Sequence, residues 1–342
     1  MFLHGRTRRL LAATIAFSAA AGGLLVISSV AAAEEWPARP VKLIVPYSAG
    51  GPTDAIARQL ATRMESSLGQ PVVVENRAGA GGTIGVGATV NAAPDGYTLA
   101  LVAPGPLAGM PNLVKTSYTQ DDIQYVTLVG KIPSVLVVNA KSGIDSLETL
   151  LKQAKADPEK FTYSSAGPGT TPHIAMELLK DEAGINLLHV PYKGAAPAIT
   201  AVLAGEVHAT MVDLLPVLPH VANGTLKVLA TAGSGRAPQL PDVPTMAEKG
   251  LKGVAMETTY GIIGPKNLPA GVVARIREAA IAAVEAPEMQ KKFLQQGTQP
   301  VTSTPEQYRE LMKAESDKWR DIIAKAKISL NRSGSAPGCP CN

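Results

Sequence analysis

Two loops that each join a strand to a helix carry the residues best suited to chemistry. The first spans residues 47–54 and combines the hydroxyls of Ser48 and Thr53 with the pair Gly50 and Gly51. Amides at a helix start have no intrahelical partner and the dipole makes that end positive, so an anion is favoured there. Glycines let the backbone approach such a ligand closely. The loop therefore predicts an anion site.

A second loop, residues 164–173, repeats this pattern further along the chain, with hydroxyls from Ser164, Ser165, Thr170 and Thr171. Neither loop contains Arg or Lys, so amides and hydroxyls would neutralise the anion in place of a salt bridge. A tight turn with a helix cap would explain either loop by itself. Ligands of open α/β sheets bind at the carboxyl ends of strands, so two equivalent loops favour a small carboxylate held between them.

Three neighbouring side chains each have two interpretations, and a fourth, Tyr192, has one. Asp54 caps its helix or contacts the ligand, and capping is favoured because its charge would compete with an anion for the same amides. His173, in the first turn of the next helix, faces the ligand or is simply packed. Asp213 follows a strand and binds an amino or hydroxyl group of the ligand, or caps the following helix. Tyr192, at another strand end, could close over the ligand.

Enzyme motifs are missing from the sequence. It has no Gly-x-Ser-x-Gly elbow, no His-Glu-x-x-His and no Gly-x-x-x-x-Gly-Lys-Ser/Thr phosphate loop. The glycine cluster 79–85 lacks dinucleotide spacing because Ile84 takes the third glycine's place, and close strand–helix packing explains it better. We expect no catalytic residues, no metal and no cofactor. The four histidines after residue 33 are scattered over different elements: His173, His189, His208 and His220.

The two ends of the chain differ from the rest. Residues 1–33 have a positive first part with Arg6, Arg8 and Arg9, continue with an uncharged apolar run and end in Ala-Ala-Ala. This pattern is typical of a cleaved signal peptide. A membrane anchor is the alternative, since the run is about as long as a spanning helix. Residues 332–342 have linker composition and predict a disordered tail. The sequence thus predicts export to the periplasm.

The charge balance excludes several classes of partner. Without residues 1–33 the chain has 29 basic and 28 acidic residues, a net charge of +1. No basic stripe remains, so no nucleic-acid partner is expected, and no second long apolar run suggests a membrane span. Cys339 and Cys341 stand at the very end, so the core folds without disulfides. We expect a monomer.

Short β-branched runs alternate with helical periods after residue 40, which is typical of parallel sheets with helices on both faces. About 310 mature residues exceed the usual size of one core. We therefore predict an α/β protein of two lobes, each a doubly wound sheet: 36–132 plus 257–331, and 133–256. Two crossing strands, within 126–138 and 256–265, would join the lobes as a hinge.

Five motifs occur in order along residues 36–330: Pro46-Tyr-x-Ala-Gly-Gly-x-x-Asp54, Glu75-Asn-Arg-x-Gly-Ala-Gly-Gly82, Pro94-Asp-Gly-Tyr-Thr-Leu99, His189-Val-Pro-Tyr-Lys-Gly194 and Asp242-Val-Pro-Thr245. Together they resemble the Bug family, the solute receptors of tripartite tricarboxylate transporters. The resemblance implies a type II periplasmic-binding-protein fold that closes around a carboxylic acid. It also implies that the glycine loops of both lobes contact the carboxylate, partly through waters.

Carried over by position, the resemblance adds Ala49 and Gly169 to the loop residues that contact the ligand. It further implies that Asp213 helps to choose the ligand's distal group, and that the apolar loop 103–108 lines the pocket. The candidate ligand-binding residues are Tyr47, Ser48, Ala49, Gly50, Gly51, Thr53, Ser164, Ser165, Gly169, Thr170, Thr171, His173, Tyr192 and Asp213.

The sequence thus predicts a periplasmic solute-binding protein that captures a di- or tricarboxylate, or an aromatic or aliphatic acid, and delivers it to membrane transporter subunits. An orphan receptor that signals to a sensor kinase would share every residue discussed. A secreted α/β enzyme is the third interpretation, and the missing enzyme motifs count against it.

Overall fold

The computed structural model describes residues 36–158 and 160–328. The predicted signal peptide (1–33) and tail (332–342) lie outside the described residues. The strands are β1 (Val41–Val45), β2 (Val72–Asn76), β3 (Thr98–Val102), β4 (Ile123–Asn139), β5 (Thr162–Ser165), β6 (Leu188–Pro191), β7 (Ala209–Asp213), β8 (Leu226–Thr231), β9 (Glu257–Pro265) and β10 (Gln299–Pro300). The helices are α1 (Pro52–Leu68), α2 (Thr83–Val90), α3 (Leu147–Ala156), α4 (Thr171–Ala183), α5 (Ala195–Ala204), α6 (Leu214–Ala222), α7 (Ala270–Glu285), α8 (Pro287–Gln295) and α9 (Pro305–Lys325).

These strands form one curled sheet in the order β2-β1-β3-β9-β4-β7-β5-β6, and β8 and β10 also pair with β4. In its first half, β1 lies parallel between β2 and β3, and β3 pairs antiparallel with β9. In its second half, β5 lies parallel between β6 and β7, while β7 and β8 pair antiparallel with β4. Each half therefore directs the carboxyl ends of its parallel strands toward loops that begin helices.

Helix α1 shows how the sequence sets these elements. Apolar Ile56, Leu60 and Met64 recur every four residues, and all three are buried against the sheet. Pro52 stands at the first position, where its fixed φ suits a helix start. Gly69 ends the helix in the left-handed conformation, at φ 70°, which a residue with a side chain would adopt only with strain.

The long strand β4 belongs to both halves. Its first eleven positions, Ile123 to Pro133, pair with β9, and the following residues pair with β7 and β8. At the junction, Ser134 N donates to Met256 O (3.1 Å) and Met256 N donates to Ala232 O (2.8 Å). The two predicted crossing segments thus lie side by side. The predicted fold class, two doubly wound halves joined by crossing strands, is confirmed.

Helix α9 contributes to two hydrophobic cores. Tyr308 and Met312, near its start, pack with the first-half core, whereas Trp319 and Ile323, near its end, pack with the second-half core. Among the described residues, no helix is both long enough and apolar enough to cross a bilayer.

Candidate functional site

Four helices begin at one cleft, whose empty volume is about 410 Å³ when the space open to solvent is included. The starts of α1, α4, α5 and α6 line it through Pro52, Thr171, Ala195 and Asp213. The residues that precede the first turns make no side-chain capping bond: Gly51, Thr170, Gly194 and Asp213. Four positive dipole ends, with first-turn amides that lack an intrahelical partner, therefore converge on this cleft, an arrangement that favours an anion.

Asp54 shapes the first loop. Its carboxylate accepts hydrogen bonds from Arg58 Nε (3.1 Å), Gly50 N (3.0 Å) and Asn76 Nδ2 (3.0 Å). Burial raises the pKa of Asp54, but the bonds from these three partners more than offset this, so its pKa lies below the ordinary value. Gly51 is the N-cap, and Asp54 stands three residues inside the helix. Asp54 therefore holds the loop in shape by taking the Gly50 amide.

The other first-loop candidates divide between the cleft and its rim. Tyr47, Gly51 and Thr53 line the cleft. Ala49 and Gly50 are exposed. Burial first, and then the charge of Asp213, raise the pKa of Tyr47, so its hydroxyl keeps its proton and can donate.

Ser48 lies where the first loop touches the loop between β6 and α5. Its amide donates to Lys193 O (3.3 Å), and a methyl group on Gly194 would overlap its hydroxyl. Tyr192, beside Lys193, lines a neighbouring cavity, and its hydroxyl donates to the Glu206 carboxylate (3.3 Å). The two loops are therefore in direct contact in this structure.

Three hydroxyls of the second loop are engaged within the protein. Ser164 Oγ donates to Ala198 O (2.8 Å) inside α5. Ser165 Oγ accepts from Gly167 N (3.1 Å), and Thr170 Oγ1 donates to Gly167 O (2.5 Å). These bonds fix the shape of the loop. Thr170 nevertheless lines the cleft at the start of α4.

Gly169 and His173 are bound to each other. Gly169 N donates to His173 Nδ1 (3.0 Å), and the ring lies behind the loop in a separate cavity together with Glu177 and Lys180. Gly169 has φ +67°, and a Cβ there would come within 2.8 Å of Leu113 Cδ1. Both position and conformation therefore require glycine at 169.

Asp213 lies in the cleft, at the start of α6, and is 4% exposed. Its side chain makes no capping bond; it accepts hydrogen bonds from Thr258 Oγ1 (2.6 Å) and from the Tyr260 hydroxyl. Burial raises its pKa to about 6, and the bonds from Thr258 and Tyr260 oppose that rise. Asp213 therefore occupies the cap position that the sequence allowed but makes no capping bond, and it lines the cleft.

Sequence reasoning missed Thr258 and Tyr260, which line the cleft from β9. Their spacing of two residues puts both side chains on one face of the strand, and both are buried. The sequence predicted the strand but gave no signal for which face meets the cleft. Other missed lining residues are small or apolar: Pro52, Ala166, Pro172 and Ala195. Ala103, from the loop 103–108 that was expected to line the pocket, does line the cleft.

The cleft carries no cation. Within the described part of the chain, its lining contains neither Arg nor Lys, and no cluster of three or more His, Cys, Asp or Glu could hold a metal ion. A bound carboxylate would therefore meet helix amides and hydroxyls, as the two loops predict.

Thr171 offers a test of this arrangement. Its Oγ1 is buried in the cleft without a hydrogen-bond partner in residues 36–158 and 160–328. We expect Thr171→Val to keep or slightly raise the stability of the ligand-free protein, because an unpaired buried hydroxyl is costly, and to weaken carboxylate binding about tenfold. Melting temperature and titration calorimetry measure the two effects.

Thr298 is a matched control, since its Oγ1 is likewise buried and unpaired in the described residues but lies outside the cleft. Thr298→Val is expected to leave affinity unchanged. Unchanged affinity in Thr171→Val as well would show that the Thr171 hydroxyl does not contact the ligand.

Comparison with known proteins gives the family. A family model described as "Tripartite tricarboxylate transporter family receptor" matches residues 56–328. Protein BugT of Bordetella pertussis is 37% identical over 325 residues, which cover 94% of this chain and 98% of the relative.

Solved structures give the same result. The structure of the periplasmic binding protein BugD superimposes with a TM-score of 0.83 at 33% identity, covering 86% of this chain and 99% of the other. R. palustris Rpa4515, solved with adipate, superimposes with a TM-score of 0.83 at 30% identity over the same shares of the two chains. The chain belongs to the Bug family of tripartite tricarboxylate transporter receptors.

Proposed function

We propose that this protein is a periplasmic receptor that captures a small carboxylate in the cleft and delivers it to the membrane subunits of a tripartite tricarboxylate-type transporter. The observation that carries the proposal is the convergence of four helix starts, without side-chain caps, on a cleft that no Arg or Lys of the described residues lines. Amides and dipoles at such starts bind an anion without a buried countercharge.

The relatives support the ligand class. Rpa4515 was solved with adipate, a dicarboxylate. For this chain we propose only that the ligand carries a carboxylate, because the cleft offers amide and hydroxyl donors for one carboxylate. The candidate ligand contacts closest to the cleft are Tyr47, Gly51, Thr53, Thr170, Thr171 and Asp213.

Capture would involve closure of two lobes, 36–132 plus 257–331 and 133–256, about the strands that cross between them. The contacts Ser48–Lys193 and Gly109–Gly169 join loops from the two halves of the sheet. A ligand that binds both loops would stabilise the arrangement in which they touch. The exported protein would act as a monomer after removal of residues 1–33.

An orphan receptor for a sensor kinase is the alternative, and the cleft serves either role. A secreted enzyme is the third. A receptor releases its ligand unchanged, so recovery of intact ligand after prolonged incubation, followed by NMR, separates it from an enzyme.

A thermal-shift panel tests the binding proposal. The mature protein is mixed with mono-, di- and tricarboxylates and with their neutral amides. A carboxylate at about 100 times its dissociation constant is expected to stabilise the protein by about 2.7 kcal/mol, whereas the fully amidated analogue is not. Stabilisation by neutral sugars or amines, with none by any acid, would refute the carboxylate site.

A further inference from the structure

Three aromatic rings are stacked directly behind the second loop. His173 lies 4.1 Å from His189 between ring centroids, with an interplanar angle of 12°, and Tyr163 lies 4.9 Å from His189 at 17°. His173 is 5% exposed. None of the three rings lines the carboxylate cleft, which is on the other side of the loop.

His173 acts as a hydrogen-bond acceptor in this stack. Gly169 N can only donate, so His173 Nδ1, at 3.0 Å, must carry no proton. The neutral ring then has its proton on Nε2, which lies 4.0 Å from Glu177 Oε1. Burial, and then the charge of Lys180, lower the pKa of His173 to about 3, so the accepting form persists at neutral pH.

Glu177 is itself held in place. Its Oε1 accepts from the Tyr163 hydroxyl (2.5 Å) and pairs with Lys180 Nζ (2.7 Å). The carboxylate that faces His173 Nε2 is therefore fixed by two donors, which favours one tautomer and one orientation of the imidazole.

The stack also reaches the other end of the loop. His189 Nε2 lies 2.6 Å from Ser165 Oγ, and Ser165 Oγ accepts from Gly167 N (3.1 Å). Within residues 165–169 the backbone adopts φ +124° at Gly167 and φ +67° at Gly169. Glycine populates positive and negative φ about equally, so these two residues do not hold the conformation by themselves. Two imidazoles thus hold the first and last residues of the segment 165–169.

We infer that His173 is a positioning residue, which holds the second loop from behind in the shape that presents Thr170 and Thr171 to the ligand. The inference rests on the proposed function, since it concerns the loop that would bind the carboxylate. It replaces the sequence-based expectation that His173 faces the ligand with a role through the Gly169 amide.

Loss of the acceptor at His173 is expected to lower the affinity for the ligand. Without an acceptor, the Gly169 amide is left unpaired and the loop populates other conformations. Apparent affinity falls in proportion to the fraction of molecules that keep the competent loop. A loss of one buried hydrogen bond corresponds to about a tenfold decrease in affinity.

Two amide side chains distinguish the role of Nδ1 from that of the ring as a whole. In His173→Asn the Oδ1 atom takes the place of Nδ1 and can accept from Gly169. In His173→Gln the amide instead reaches the place of Nε2. Both variants lose the aromatic stack, so only the position of the acceptor differs. We expect His173→Asn to bind within about twofold of the wild type and His173→Gln about tenfold more weakly.

His208 is the matched control. Its Nδ1 also accepts from a backbone amide, Thr162 N at 3.1 Å, but at the opposite end of β5 from the cleft. His208→Gln displaces that acceptor in the same way. It is expected to lower the melting temperature without changing affinity.

Hydrogen exchange of the Gly169 amide, measured by NMR on the ligand-free protein, tests the positioning role without any ligand. The amide is expected to be protected in the wild type and in His173→Asn and to exchange much faster in His173→Gln. Equal protection in both variants, or equal affinity, overturns the inference. Failure of the wild type to bind any acid, with the exchange pattern intact, refutes the proposed function and leaves the hydrogen-bond role of His173 standing.

Discussion

Replacing Gly109 with alanine is expected to weaken carboxylate binding on the order of a hundredfold while each half of the sheet remains folded. Gly109 ends a short π-helical turn, Gly105–Gly109, that follows β3. A methyl group at this position would overlap the carbonyl oxygen of Gly169 in the second loop and approach Trp319 Cε3 at 3.0 Å. A peptide carbonyl cannot rotate away as a side chain can, so the second loop would have to move.

This overlap would destabilise the arrangement in which the turn of the first half touches the second loop. Gly109 itself has φ −87° and ψ −59°, which alanine adopts without strain. The penalty therefore arises where the turn of the first half meets the loop of the second. Overpacking at well-packed sites costs about 1–3 kcal/mol. If the two halves of the sheet separate to relieve the overlap, the upper end of this range corresponds to about a hundredfold loss of affinity.

Titration calorimetry and small-angle scattering check this expectation together. The variant should bind weakly and should show a larger radius of gyration than the wild type. Gly271→Ala serves as control, because a Cβ on Gly271 meets no atom of the described residues within 4 Å. Wild-type affinity in Gly109→Ala would mean that contact between the turn and the second loop is not needed for binding.

Regular elements of this protein follow closely from local sequence patterns. The alternation of β-branched runs with helical periods after residue 40 is visible in the β-branched run 41–45, which forms β1, and in the segments 147–156 and 195–204, which form α3 and α5. The crossing strand predicted within 126–138 is β4, which runs from Ile123 to Asn139. Gly130 and Pro133 interrupt its β-branched run, and pairing with β9 and then with β7 and β8 keeps the whole strand extended.

The sequence predicted which loops form the site but not which side chains of those loops face the cleft. Helix starts and glycines mark the first and second loops because these features are local. Which hydroxyl faces the cleft depends on partners far along the chain, as when Ser164 donates to Ala198, 34 residues away. The same is true of Asp213, whose partners Thr258 and Tyr260 arrive on a strand that the sequence identified only as a crossing.

Asp213→Asn is expected to raise the free energy of unfolding of the ligand-free protein at pH 8 and to change it little at pH 4. Burial raises the pKa of Asp213 from 3.8 to about 6. As the pH rises, the unfolded chain therefore loses this proton before the folded protein does. The difference between the two pKa values limits the resulting loss of stability to about 3 kcal/mol. Asparagine cannot ionise, so the loss disappears. Urea unfolding at the two pH values measures it.

Asp54→Asn provides a control of opposite sign. Burial of Asp54 is more than offset by its bonds to Arg58, Gly50 and Asn76, so its pKa is lowered on folding. Its ionised form stabilises the protein above the unfolded pKa, and that contribution is lost as the pH falls through the lowered pKa. Asp54→Asn should therefore lose stability at pH 8. A change in the same direction as Asp213→Asn would contradict the environments assigned to the two carboxylates.

The Asp213 carboxylate also bears on which acid fits the cleft. At pH 8 the far end of a bound ligand would meet this ionised group, and no Arg or Lys of the described chain lines the cleft to offset a second negative charge. Two like charges about 4 Å apart repel by about 4 kcal/mol at an effective dielectric constant of about 20. We expect the monoamide of adipate to bind the wild type at least about tenfold more tightly than adipate, its match in size. Asp213→Asn should abolish this preference in calorimetric titrations, and the same preference in both proteins would place the far end of the ligand away from Asp213.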